Sequence, residues 1–125
     1  MGETSRGSTP NFFFPAVICA IIILGITLGI VLLINDQLLR SSLLDVISPV
    51  VDLLASMALF IVARNSAVRS KRFAIAWGTI AFATLIYAFA DTAWAILEVG
   101  LKKQPFPSIA DVFYLAYYPA FLMGV

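Results

Sequence analysis

Long apolar runs alternate with short polar stretches along the whole chain, and this alternation sets its layout. From Phe12 to Ile34 no residue is charged. A membrane span needs ~20 mostly apolar residues at ~1.5 Å rise each, and this run is longer than the ~7–15-residue core of a cleavable signal peptide. It therefore reads as an uncleaved first span. After a polar connector, Asn35 to Ser42, the second run admits two starts. Begun at Pro49 it reaches Ala63 after about 22 Å, too short for a ~30 Å hydrocarbon core. Begun after Ser42, with Asp45 as capping-box partner, it reaches about 31 Å, and Pro49 then frees the carbonyl of Asp45. The third run, Phe73 to Leu97, is interrupted by one carboxylate, Asp91. The fourth follows Pro107 and opens on Ser108-Ile-Ala-Asp111, the spacing of a capping box. The pattern predicts an all-α polytopic membrane protein, an antiparallel bundle of four transmembrane helices near 12–34, 43–63, 73–97 and 109–125. A flexible polar tail, residues 1–11, precedes it. The fourth run covers about 25 Å and ends without a charged flank, which predicts the front part of a longer protein.

Composition narrows the class. Hydrophobic residues make up 62% and charged residues 12%, where soluble domains carry about a quarter charged. The mean hydropathy is +1.00. A net charge of +1 gives no electrostatic footprint for nucleic acid. One cysteine, Cys19, forms no internal disulfide, and the absence of histidine excludes a histidine-based triad or haem-histidine ligation. The acids are not clustered in sequence, so no metal site and no cofactor are expected, and the chain reads as a non-enzyme. Four basic residues and no acid occupy Arg64 to Arg72. Loops rich in Lys and Arg stay cytoplasmic, so this loop and the N-terminus are expected inside, in a multi-pass cell-membrane protein with lipid as its first partner.

Candidate chemistry lies on the third run. Phe73, Trp77, Ile80, Thr84, Tyr87, Asp91, Trp94 and Glu98 follow at steps of four and three, one stripe of one helix. An ionisable residue within a span is costly and carries a functional hypothesis by default. Asp45, Ser48, Asp52 and Ser56 share a face of the second helix. With the N-terminus inside, Asp52, Asp91 and Asp111 fall in one outer layer, with Tyr87, Trp94, Tyr114 and Tyr118 at helical spacing around them. Asp91, Trp94, Tyr87, Asp52, Tyr114 and Tyr118 are the ligand-binding or sensing candidates. Each has a plainer reading. Ser108 and Asp111 cap a helix, Asp52 accepts hydrogen bonds from Ser48, Ser56 or a tyrosine, and Asp91 holds two spans together. Gly25 and Gly29 form a GxxxG pair, either a helix-packing face or ordinary membrane glycines.

The segment PSIADVFYLAYYP, Pro107 to Pro119, resembles the PSxADxxYLxxYP segment of multi-span N-terminal membrane sensor modules in prokaryotic signalling proteins. The preceding AFADTAWAILE is similar to the (A/L)xxDxxW segment of such modules. The resemblance covers Ala88 to Val125. Those modules continue through further spans and precede PAS, GGDEF, EAL or histidine-kinase domains. The resemblance implies a sensory input region that relays a ligand or membrane stimulus by helix repacking to cytoplasmic domains. Two other readings stay open: a small proton-coupled transporter built on an intramembrane carboxylate, and an accessory subunit, with a homodimer or membrane-complex partner.

Overall fold

The computed structural model describes residues 13–102 and 107–125. The polar tail and the loop positions Lys103 and Gln104 lie outside the described residues. Four helices follow in order: α1 (Phe13–Leu33), α2 (Gln37–Ser66), α3 (Lys71–Ala95) with a π-helical extension (Ile96–Gly100), and α4 (Ile109–Gly124). No strand occurs among the described residues. Three of the helices are long and apolar enough to cross a membrane. α4, at 16 residues, covers ~24 Å.

The chain forms two compact units, one ending at Asn35 and the other running from Asp36 to Val125. The first contains α1, apolar throughout, with a Thr27 hydroxyl returned to the Ile23 carbonyl at 2.9 Å. A Cβ built on Gly25 or Gly29 meets nothing within 4 Å.

In the second unit α3 packs against both α2 and α4. α2 starts earlier than its apolar run, and this corrects the expected start after Ser42. Asp36 is the N-cap, its carboxylate accepting from the amides of Leu38 (3.0 Å) and Leu39 (3.5 Å). Polar residues interrupt the apolar run without interrupting the helix, because Gln37 to Ser42 contains no helix breaker and the cap lies upstream. Pro49 sits inside α2. Lacking an amide hydrogen, it leaves the carbonyl of Asp45 without its i+4 donor.

α2 and α3 are joined by a short turn in which the amides of Arg69 and Ser70 both donate to Ser66 O at 3.0 Å. The order of the contacts shows that the turn reverses the chain. Contacts descend one helix as they climb the other: Ala63 against Gly78, Ser56 against Ala81, Ser48 against Asp91. The α3–α4 contacts follow the same rule, from Asp91 with Tyr114 to Ile80 with Gly124. Small residues make these approaches close. Ala81 and Ala88 stand seven apart on one side of α3, Ala83 and Ala90 seven apart on another, and all four are fully buried. Without a strong hydrophobic drive between helices in lipid, such small faces let dispersion and hydrogen bonds operate at short range.

Candidate functional site

Asp91 falls angularly between the two alanine rows, at ~100° per residue along the helix. It is therefore reachable from both neighbouring helices. It is buried, 8% exposed, and each carboxylate oxygen has its own donor. The Ser48 hydroxyl of α2 donates to Oδ2, and the Tyr114 hydroxyl of α4 donates to Oδ1 at 2.5 Å. One side chain thus ties three helices at one level. Burial raises the cost of leaving either bond unmade.

Around it, Asp45, Ser48, Tyr87, Asp91, Trp94 and Tyr114 line a cavity of about 320 Å³. The aromatic wall is continuous. Tyr87 meets Tyr114 and Tyr117 edge-on, each with centroids 5.1 Å apart. Trp94 meets Tyr114 at 6.4 Å. These T-shaped pairs suit the ring quadrupoles and fix the ring planes. Trp94 Nε1 donates to Glu98 Oε2 at 2.6 Å, across the junction between α3 and its π extension. Thr92 returns its hydroxyl to Ala88 O at 2.7 Å and so stays out of the cluster.

The remaining acids surround this centre. Asp52 lies beside Asp91, and Asp45 beside Glu98 and Asp91. Asp52 does not accept from Ser48 or Ser56, which corrects one expectation. Ser48 serves Asp91, and Ser56 donates to the Ala81 carbonyl at 3.0 Å. Asp52 Oδ2 is left buried with no partner among the described residues.

Tyr87, Asp91, Trp94 and Tyr114 are therefore brought together, and Asp52 adjoins them. Tyr118 does not line the cavity. It is 66% exposed and packs edge-on against Tyr117 at 5.5 Å. Tyr117, one residue earlier, takes the place against Tyr87. Phe73 and Trp77, at the far end of the stripe, are 64% and 38% exposed. Ser108 and Asp111 stand apart at the start of α4. The Ser108 amide donates to Asp111 Oδ2 at 2.7 Å and the Ala110 amide to Ser108 Oγ at 3.2 Å, a closed capping box. Asp45 and Ser48 are cavity residues that sequence reasoning missed. The signal was available in their shared face with Asp52 and Ser56. Among the described residues no three His, Cys, Asp or Glu side chains converge as a metal site.

Comparison with protein families, curated proteins and solved structures gives no match to this chain.

Proposed function

We propose that the chain is the membrane-embedded input module of a prokaryotic signalling protein. In this reading all four helices span the membrane in alternating directions. The N-terminus and the Arg64–Arg72 loop are cytoplasmic, and the module carries no catalysis of its own. A ligand or membrane stimulus acts at the Asp91 cavity, and helix repacking passes the signal to cytoplasmic domains beyond Val125. The observation that supports this most is the joint hold of Ser48 and Tyr114 on Asp91. Anything that alters that carboxylate alters the contacts of α2 and α4 with α3 together. A conformational change needs differential interaction with two packings, and a shared hydrogen-bond centre provides a place for it.

Distance measurement between α2 and α4 tests the proposal. Spin labels at Val46 and Val112, both exposed, in a Cys19→Ser background, report the spacing in nanodiscs as lipid, pH and solutes are varied. A stimulus that shifts the distance in this chain is expected to have no effect after Asp91→Asn and an unchanged effect after Asp111→Asn. An equal shift in Asp91→Asn, or none in the parent chain under any condition, overturns the role given to Asp91. Gly25 and Gly29 are proposed as the contact of α1 with a second copy. Gly25→Leu and Gly29→Leu then reduce oligomer size in detergent, and unchanged size removes the contact.

A second reading is favoured by Asp52. A buried carboxylate oxygen without a partner, beside Asp91, suits a proton-coupled transporter in which two acids exchange a proton. Proton flux into proteoliposomes, lost in Asp52→Asn, separates transport from sensing.

A further inference from the structure

The walls of the Asp91 cavity combine two features that an acidic cluster alone lacks. Three aromatic side chains, Tyr87, Trp94 and Tyr114, surround the space, and their mutual edge-on packing fixes the rings. Asp45 and Asp91 bring carboxyl groups to the same walls, with Asp52 and Glu98 close behind. No Lys or Arg occurs in Ser41–Ala63, Phe73–Leu101 or Pro107–Val125, the stretches that build the cluster. The carboxyl groups thus have no basic side chain of the same segments opposite them. A cation entering there meets no basic competitor, and a low-dielectric surround strengthens its attraction to a carboxylate.

The kind of cation follows from what the walls leave free. A hard metal ion takes about six or more oxygen ligands, and no such set converges here. A primary ammonium or guanidinium uses its N–H groups on open carboxylate acceptors. Both oxygens of Asp91 already accept hydroxyl donors, so of the two carboxyl groups lining the cavity Asp45 alone is open to an N–H group. A quaternary ammonium has no N–H group. It is held by aromatic faces and by the field of nearby carboxylates, and it needs no hydrogen-bond acceptor. The cavity, about 320 Å³, is at the small end of ligand pockets, which run ~300–1,000 Å³.

We infer that the cavity of Tyr87, Trp94, Tyr114, Asp45 and Asp91 binds a quaternary ammonium group of trimethylammonium size. This rests on the input-module reading, and it names the ligand class for that site. The group can arrive on a free solute or as the headgroup of a choline lipid, and the chemistry is the same for both.

Fluorescence of Trp94 tests the inference. With Trp77→Phe, Trp94 is the one tryptophan left. The intact chain is placed in nanodiscs of phosphatidylethanolamine and phosphatidylglycerol, and choline is titrated against its neutral isostere 3,3-dimethylbutan-1-ol. The expected result is a saturable change with choline that is at least about tenfold tighter than with the alcohol. Asp91→Asn weakens it about tenfold, and Asp111→Asn leaves it unchanged. If Asp91→Asn loses helical circular dichroism, Asp45→Asn takes its place with the same expectation. Discs containing phosphatidylcholine assign the source. A lipid headgroup ligand shifts Trp94 in those discs and removes the response to free choline, whereas a solute ligand titrates alike in both. Equal response to the neutral alcohol, or no response to either choline or phosphatidylcholine, overturns the inference. An α2–α4 distance change that depends on Asp91 without choline binding removes only the ligand class. Choline binding with no distance change removes only the input role.

Discussion

Ser56 of α2 donates its hydroxyl to the carbonyl oxygen of Ala81 in α3 at 3.0 Å, with Ser56 1% and Ala81 0% exposed. The bond joins a small side chain to a main-chain atom, so it forms only where the two helix backbones come close. It lies about two turns from the Ser48–Asp91 contact along α2. It holds α2 against α3 independently of the acidic centre. Ser56→Ala is expected to cost about 0.6 kcal/mol, the mean for interhelical hydrogen bonds in membranes, and no more than about 1.7. Ser56→Leu is expected to cost more, because it must separate the helices. Unfolding in a denaturing-detergent titration reads both, and an unchanged midpoint for Ser56→Leu contradicts the close approach.

Two glycines carry predictions of opposite sign. A Cβ on Gly124 meets Ile80 Cγ1 at 2.7 Å, Ile80 N at 3.0 Å and Ala76 O at 3.1 Å. Two of these are backbone atoms with no room to give, so Gly124→Ala is expected to destabilise the α3–α4 contact by about 1–3 kcal/mol. A Cβ on Gly78 meets only Ala63 Cβ, at 4.0 Å. Gly78→Ala is then expected to stabilise by up to about 1 kcal/mol through helix propensity. The same unfolding titration compares them.

Tyr114→Phe keeps the ring against Tyr87 and Trp94 while removing the donor to Asp91 Oδ1. Its expected cost is about 1–3 kcal/mol, since a buried acceptor is left short. Tyr118→Phe, at an exposed position, is expected to stay within about 0.5 kcal/mol of the parent. Tyr117→Leu gives up the edge-on pair with Tyr87 and the packing on Phe121 at 5.5 Å, about 0.5–1.5 kcal/mol for the aromatic pair beyond lost area. Thermal melting of the three variants in one detergent gives the order.

Sidedness is read by cysteine labelling in a Cys19→Ser background. A cysteine placed at Val68, a position 92% exposed in the turn between α2 and α3, is expected to react only after the membrane is permeabilised. A cysteine at Gln104 is expected to react with an impermeant reagent from outside. The opposite pattern inverts the orientation.

Period and run length were enough to place the four helices, because a hydrocarbon core demands long apolar runs and α-helical spacing groups them. The start of α2 was not legible in hydropathy. Asp36 caps upstream of a polar turn, and polarity outside the hydrocarbon does not end a helix. At the site, the steps from Tyr87 to Asp91 to Trp94 marked one face of α3, and those residues line one cavity. Which hydroxyl would reach Asp91 depends on the rotation of α2 about its own axis. Ser48 and Ser56 share a face, and only the packing distinguishes their acceptors. Tyr117 and Tyr118 differ by ~100° about α4, a choice that composition does not make. The π turn at Ile96–Gly100 has no sequence mark at all.

That turn closes on itself through the Leu101 amide donating to Ile96 O at 2.9 Å, five residues back. An α turn spans the same advance with a shorter ring, so the segment stores one residue of slack. Removing a single residue between Ile96 and Gly100 lets the turn relax to α without disturbing the register of Ala81 to Asp91. A deletion anywhere in Ala81–Asp91 instead rotates half of the helix by ~100° and sends Ser48 and Tyr114 to different partners. Tolerance of shortening is therefore confined to one end of α3, a local elasticity in chain length next to a centre that has none.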